Sequence, residues 1–288
     1  MDHDLSTLLN RIADALERLA PDQEPSNSLA NAEAFVWNPN GQRLKSLEKV
    51  NRIPFGLLKG IAAQGKALLA NTRNHADGLP ANNALLWGAR GTGKSSLVKA
   101  IQAEINTSRS ATDRIVLVEI HREDIPSLPQ LLDVLRQDPR RCVVFCDDLT
   151  FGGMDDSYKA LKSVLEGGLE GRPENVLFYA TSNRRHMMAR DMIENERVNA
   201  IHPGEAIEEK VSLSDRFGLW LGFHHLDQDT YFSIVEGYAD FAGIKINKDS
   251  LRAKAKEWTV TRGSRSGRVA WQFIQHIAGE QGIKITLP

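Results

Sequence analysis

Apolar residues open the chain at helical spacing and then gather into short continuous runs. Leu5, Leu8, Leu9, Ile12, Leu16 and Leu19 fall three or four residues apart or side by side, which predicts an amphipathic helix over residues 1–20. Pro21 ends it, and the polar stretch holding Pro25, Ser26, Asn27 and Ser28 reads as a linker over 21–33. That helix either folds back on the body or docks to a partner or a second copy. From Ala34 onward strand and helix patterns alternate. Strands are predicted at 84–87, 115–120, 141–147, 176–181 and 219–223, with helices at 94–105, 129–136 and 157–167 between them. Continuous apolar strands separated by helices imply a parallel sheet covered on both faces. After Leu226 the pattern is helical only, at 229–241, 248–256 and 266–278. The chain therefore divides into an α/β body over 34–225 and a small helical unit over 226–288.

Composition narrows the class without changing this outline. The chain has 288 residues, 41% hydrophobic and 25% charged, with a formal net charge of −1. A near-neutral molecule exerts no long-range pull on nucleic acid or anionic membrane. No apolar run reaches the roughly 18 residues of a membrane span, and Met1-Asp2-His3-Asp4 lacks the basic flank of a signal peptide. Cys142 and Cys146 lie four apart in one predicted strand, about 13 Å from each other, too far for a disulfide. They read as small buried hydrophobes, and the whole suits a cytoplasmic protein with no membrane partner.

The chemistry concentrates at strand ends. The run Gly88-Ala89-Arg90-Gly91-Thr92-Gly93-Lys94-Ser95-Ser96 fits G-x-x-x-x-G-K-[ST], between a predicted strand and a predicted helix. Glycines let backbone N–H groups wrap a phosphate, and the helix start adds its positive dipole end. Lys94 is placed for the β- and γ-phosphates of a nucleotide, and Ser95 for Mg²⁺. The third strand ends in Asp147-Asp148. Ligands of open α/β sheets sit at carboxyl ends of strands, so Asp147 is the candidate metal partner and Asp148 the candidate base for an attacking water. The fourth strand ends Thr181-Ser182-Asn183; Asn183 is the first choice for orienting that water and Thr181 the second. Arg216, before the fifth strand, and Arg265 or Arg268, near the start of the last helix, could answer the charge that phosphoryl transfer builds. Taken singly, each arginine reads as a solvated surface charge.

In this order the motifs resemble the AAA+ ATPase superfamily. Gly88–Ser95 is similar to Walker A, 143–148 to Walker B, Asn183 to sensor 1, Arg216 to the arginine finger, and Arg265, or in second place Arg268, to sensor 2. The segments 80–86, 146–151 and 156–162 further resemble a bacterial AAA+ family catalogued as of unknown function. The resemblance implies a P-loop αβα sandwich with a five-stranded parallel sheet in the order 5-1-4-3-2, followed by an α-helical lid. ATP with Mg²⁺ would lie between them, with Ile53-Pro54-Phe55 near the adenine. Arg216 would act in trans, which implies a homo-oligomer. Two departures stand out: Asp147-Asp148 replaces the usual Asp-Glu, and Ile120-His121-Arg122-Glu123-Asp124-Ile125 lacks the aromatic of protein-threading members.

The reading that follows is an ATPase, slow or stimulated by a partner, that switches or remodels an unidentified protein client. A nucleic-acid-linked initiator or helicase loader is an alternative, with Arg184, Arg185, His186 and Arg190 as a small basic patch. A non-hydrolysing ATP-gated scaffold is another. Composition does not point to nucleic acid, and a small-molecule kinase fits the motif set least.

Overall fold

A computed structural model describes residues 28–29, 32–151, 156–167, 171–184, 213 and 215–285. The helix expected over 1–20, most of the linker, and Arg185, His186 and Arg190 lie outside the described residues. The strands are β1 (Ala34–Asn38), β2 (Arg43–Ser46), β3 (Ala84–Gly88), β4 (Val116–Glu119), β5 (Cys142–Cys146), β6 (Val176–Ser182) and β7 (Leu219–Phe223). The helices are α1 (Ala62–Ala76), α2 (Lys94–Asn106), α3 (Leu128–Arg136), α4 (Asp156–Glu166), α5 (Gln228–Phe241), α6 (Lys248–Arg262) and α7 (Gly267–Glu280). No described helix is long and apolar enough to cross a membrane.

The sheet runs β2-β1-β4-β5-β6-β3-β7. Its last five strands, read from β7 to β4, give the expected 5-1-4-3-2 order, all parallel. The expectation of five strands is corrected to seven among the described residues. Beyond β4 the sheet continues with β1, parallel to β4, and β2, antiparallel to β1. Only Leu44 of β2 is buried, so an edge strand with three exposed positions carries no apolar run to find. Helix α1 also escaped the periodic pattern. Its buried face is Gly65, Leu68, Thr72 and His75, and half of that face is polar. Thr72 donates to the carbonyl of Leu68 and meets the Tyr179 hydroxyl at 2.9 Å, while His75 Nε2 reaches the Cys142 carbonyl at 3.0 Å. A carbonyl only accepts, so the proton of the neutral ring sits on Nε2.

Central strands β5 and β6 are buried at every position, as expected where helices cover both faces. One face packs on Leu128, Leu131, Leu132 and Leu135 of α3 and Leu161 of α4. The other packs on Leu68 of α1 and Leu97, Val98, Ile101 and Ile105 of α2. A third apolar cluster joins α5, α6 and α7 around Tyr231, Val235, Leu251, Phe273 and Ile277. Each of these last helices is opened by a side-chain cap, from Asp227, Asn247 and Ser266. Helix α6 runs six residues past its predicted end at 256 and stops at Gly263, which takes φ 66°.

Candidate functional site

Strand register decides which chemical groups meet. In the order β5-β6-β3, Cys146 lies beside Ala180 and Leu86 beside Thr181. The Asp147-Asp148 pair, the Thr181–Asn183 segment and the glycine turn therefore leave the sheet side by side. The turn needs its glycines at particular points. Gly88 has φ 128°, and a Cβ there would lie 2.0 Å from the Phe223 carbonyl oxygen, while the next N–H, from Ala89, donates to that same oxygen at 2.8 Å. Gly93, at φ 95°, turns the chain into α2.

Side chains then close a bonded network across the three strand ends. Lys94 Nζ donates to the carbonyls of Gly88 and Ala89 at 2.9 and 2.7 Å and to Asn183 Oδ1 at 3.3 Å. Asn183 Nδ2 donates to Asp148 Oδ1 at 2.5 Å. Ser95 Oγ donates to Asp147 Oδ1 at 2.5 Å, and Thr181 Oγ1 donates to the same oxygen. Asp148 has φ 52°, left-handed backbone that Asp tolerates better than most residues. Burial pulls the Lys94 ammonium below its ordinary pKa, with Arg90 adding to the effect, while Asp147 and Asp148 oppose it.

These groups line one cavity of about 660 Å³, a size typical of small-molecule sites. Its polar wall includes Lys94, Ser95, Asp147, Asp148, Thr181 and Asn183; its apolar wall includes Ile53, Leu57, Ile61, Ile234, Tyr238 and Trp271. Tyr238 and Trp271 meet edge to face with ring centroids 5.2 Å apart, and burial pushes the Tyr238 hydroxyl up to about 12, so it stays neutral. The lid helix α7 touches the glycine turn directly. Gly267 N–H donates to the Gly91 carbonyl at 2.8 Å, and a Cβ on Gly91 would lie 2.8 Å from Ser266 Cβ. Ser95 and Asp147 suit a hard divalent cation, since hydroxyl and carboxylate oxygens are its preferred ligands. The Ser95 proton is already committed to Asp147, which leaves the hydroxyl lone pairs for a cation.

A family model described as "Protein of unknown function (DUF815)" matches residues 30–281. The chain belongs to this family. No curated protein matches the sequence. Among solved structures, the AAA domain of FIGL-1 in complex with ADP is similar at 16% identity and a TM-score of 0.52, over 80% of this chain and 74% of that one. Domain III of the Thermotoga maritima replication initiation protein DnaA is similar at 15% identity and a TM-score of 0.51, over 81% and 92%. At such identities the likeness is one of fold, which the chain shares with these two domains.

The motif residues are distributed as follows. Arg90, Gly91, Thr92, Gly93, Lys94, Ser95 and Ser96 line the cavity with Asp147, Asp148 and Asn183, whereas Gly88 and Ala89 are not on its wall and hold Lys94 through their carbonyls. Arg268 is on the wall. Arg265, the first choice for the lid arginine, is off it and reaches Gln228 Oε1 at 3.5 Å. Arg268 is one residue into α7, above the glycine turn, while Arg265 precedes the Ser266 cap. Arg216 is off the wall of its own chain and pairs with Glu166. Of Ile53-Pro54-Phe55, only Ile53 is on the wall. Lys99, Tyr238 and Trp271 were not singled out from sequence, yet Lys99 follows Ser95 by one helical turn and Trp271 follows Arg268 by three residues.

Proposed function

We propose that this chain binds Mg²⁺–ATP in the cavity between sheet and lid and hydrolyses it to ADP and phosphate, using the cycle to remodel a macromolecular partner as a homo-oligomer. The observation that carries the reading is the single bonded network from Lys94 through Asn183 to Asp148, with Ser95 on Asp147 beside it. Lys94 would trade its carbonyl partners for phosphate oxygens. Asp148 would take the proton of the attacking water while Asn183 holds both in line. Ser95 and Asp147 would hold the cation, which supplies charge neutralisation to the phosphates when bound. Arg268 would meet the nucleotide from the lid, and Arg216 would leave Glu166 to reach a neighbour's nucleotide.

Lys94→Ala tests the site. Nucleotide binding followed by titration of a fluorescent ATP analogue should weaken at least about a hundredfold, and phosphate release should stop. Unchanged affinity and turnover would remove the assignment. Sizing with and without ATP tests the shared site, with a larger species expected only with ATP and lost in Arg216→Ala. One observation favours a second reading, an ATP-gated scaffold: the Asp148 carboxylate is short, on left-handed backbone and already engaged by Asn183. Tight ATP binding with no phosphate release by the oligomer would select it.

A further inference from the structure

We propose that Thr181 is the positioning residue that fixes both carboxylates of the Asp147-Asp148 pair through one hydroxyl, and through them the cation; the metal part of this inference rests on the nucleotide-site reading above. Thr181 is 2% exposed and sits in β6, one residue beyond Ala180, where β6 last pairs with Cys146 of β5. There the ladder between the strands gives way to side-chain bonding. Thr181 Oγ1 donates to Asp147 Oδ1 and accepts the backbone N–H of Asp148 at 2.9 Å. The main-chain carbonyl of Thr181 accepts the Leu149 N–H at 2.7 Å. Three consecutive residues of the acidic turn are thus tied to one residue of the neighbouring strand.

The direction of the hydroxyl follows from its partners. A backbone N–H can only donate, and an ionised carboxylate can only accept, so the single Thr proton must point at Asp147. The β-branched side chain has few χ1 states, which holds Oγ1 between its two partners. Two consequences follow. Asp147 Oδ1 receives two hydroxyl protons, from Ser95 and Thr181, which orients the carboxylate before any cation arrives. The left-handed backbone at Asp148 has its N–H satisfied by Thr181, and that conformation aims the shorter carboxylate at Asn183. Thr181 is on the cavity wall but acts through the two acids. Outer-shell partners of this kind change metal affinity or activity by about 10–100-fold when removed.

Thr181→Val keeps the side-chain shape and removes only the hydroxyl, while Thr181→Ser keeps the hydroxyl and removes a methyl. In the full chain, the MgCl₂ concentration that half-saturates binding of a fluorescent ATP analogue should rise about 10–100-fold in Thr181→Val and stay within about threefold of the parent in Thr181→Ser. Amide exchange read by NMR needs no nucleotide. The Asp148 N–H should exchange faster in Thr181→Val, while the Leu149 N–H, bonded to the retained carbonyl, should not. Thermal melting shows whether each variant folds. A folded Thr181→Val with parental Mg²⁺ dependence, or a Thr181→Ser as weak as Thr181→Val, overturns the proposal. So does an Asp148 amide that exchanges at the parental rate. If instead Lys94→Ala binds nucleotide like the parent, the nucleotide reading falls, and the Asp148 amide still decides the hydroxyl's role.

Discussion

The cavity has two walls of different make. On the sheet side the central polar groups hold one another: Ser95 and Thr181 on Asp147, Asn183 on Asp148, Lys94 on Asn183 and two carbonyls. On the side of α5 and α7 the wall is mainly apolar, with Ile234, Tyr238 and Trp271 beside Arg268, and it is joined to the glycine turn by the Gly267–Gly91 backbone bond. Hydrogen bonds have narrow tolerances, because they weaken steeply as the angle at the donor hydrogen closes. Apolar contact tolerates sliding, since its strength depends on area rather than angle. On the proposed reading, the difference predicts constancy on the sheet side and displacement on the side of α5 and α7.

The largest expected break is on the sheet side. Gly88→Ala forces a Cβ to within 2.0 Å of the Phe223 carbonyl oxygen at φ 128°, and neither backbone can yield without disturbing β3 and β7. A loss of more than about 3 kcal/mol in urea unfolding is expected; a loss under about 1 kcal/mol would mean the strand ends are softer than drawn. Phe273→Ala strikes the lid instead. Phe273 is 1% exposed, and truncation should remove about 3–5 kcal/mol from the lid cluster. Hydrogen exchange should then quicken across α5, α6 and α7 while β5 and β6 keep their protection. Loss of protection in the central strands would show that the walls form one cooperative unit.

Acid tests the sheet side alone. Burial lowers the His75 pKa from 6.5 to about 4. Between those values the unfolded imidazole holds a proton and the buried one does not, so stability falls as pH drops through that window and is insensitive to this group above it. The full effect is about 3 kcal/mol, and His75→Gln should flatten the slope measured by urea unfolding between pH 6.5 and 4. A slope that persists in the variant assigns the acid lability elsewhere. The smallest effects separate the lid arginines. Arg268→Ala should weaken ATP binding about tenfold, the scale of one charged hydrogen bond, and Arg265→Ala less than about twofold. The reverse order would return the lid role to Arg265.

What could be read from sequence divides along physical lines. The glycine turn, the acid pair and Asn183 could be picked out together because a phosphate-binding motif fixes residue type and spacing at once, and the fold brings them to one cavity; the central strands β5 and β6 could be read because both of their faces are buried. Strand β2 and helix α1 were not, since Leu44 alone is buried in one and Thr72 and His75 occupy the core face of the other. Their identity depends on neighbours far away in sequence, as in the bonds of His75 to Cys142 and of Thr72 to Tyr179. Resemblance alone puts Arg265 ahead of Arg268, and sequence could not show that Arg268 is the one of the two on the cavity wall. Sequence offers Thr181 only as second choice for orienting a water; its bonds to Asp147 and Asp148 could not be read, because a hydroxyl at a strand end has meaning only once its two partners are placed.

The bond between the Gly91 carbonyl and the Gly267 amide contains no side chain. Replacing side chains around it cannot erase it as it can a salt bridge; it gives way to proline at 267 or to a Cβ on Gly91, 2.8 Å from Ser266 Cβ, that forces the two backbones apart. The joint between the glycine turn and α7 is therefore shielded from sequence drift elsewhere. Descendants of this chain can change what the lid displays to the outside while inheriting the same mechanical linkage to the turn beneath it.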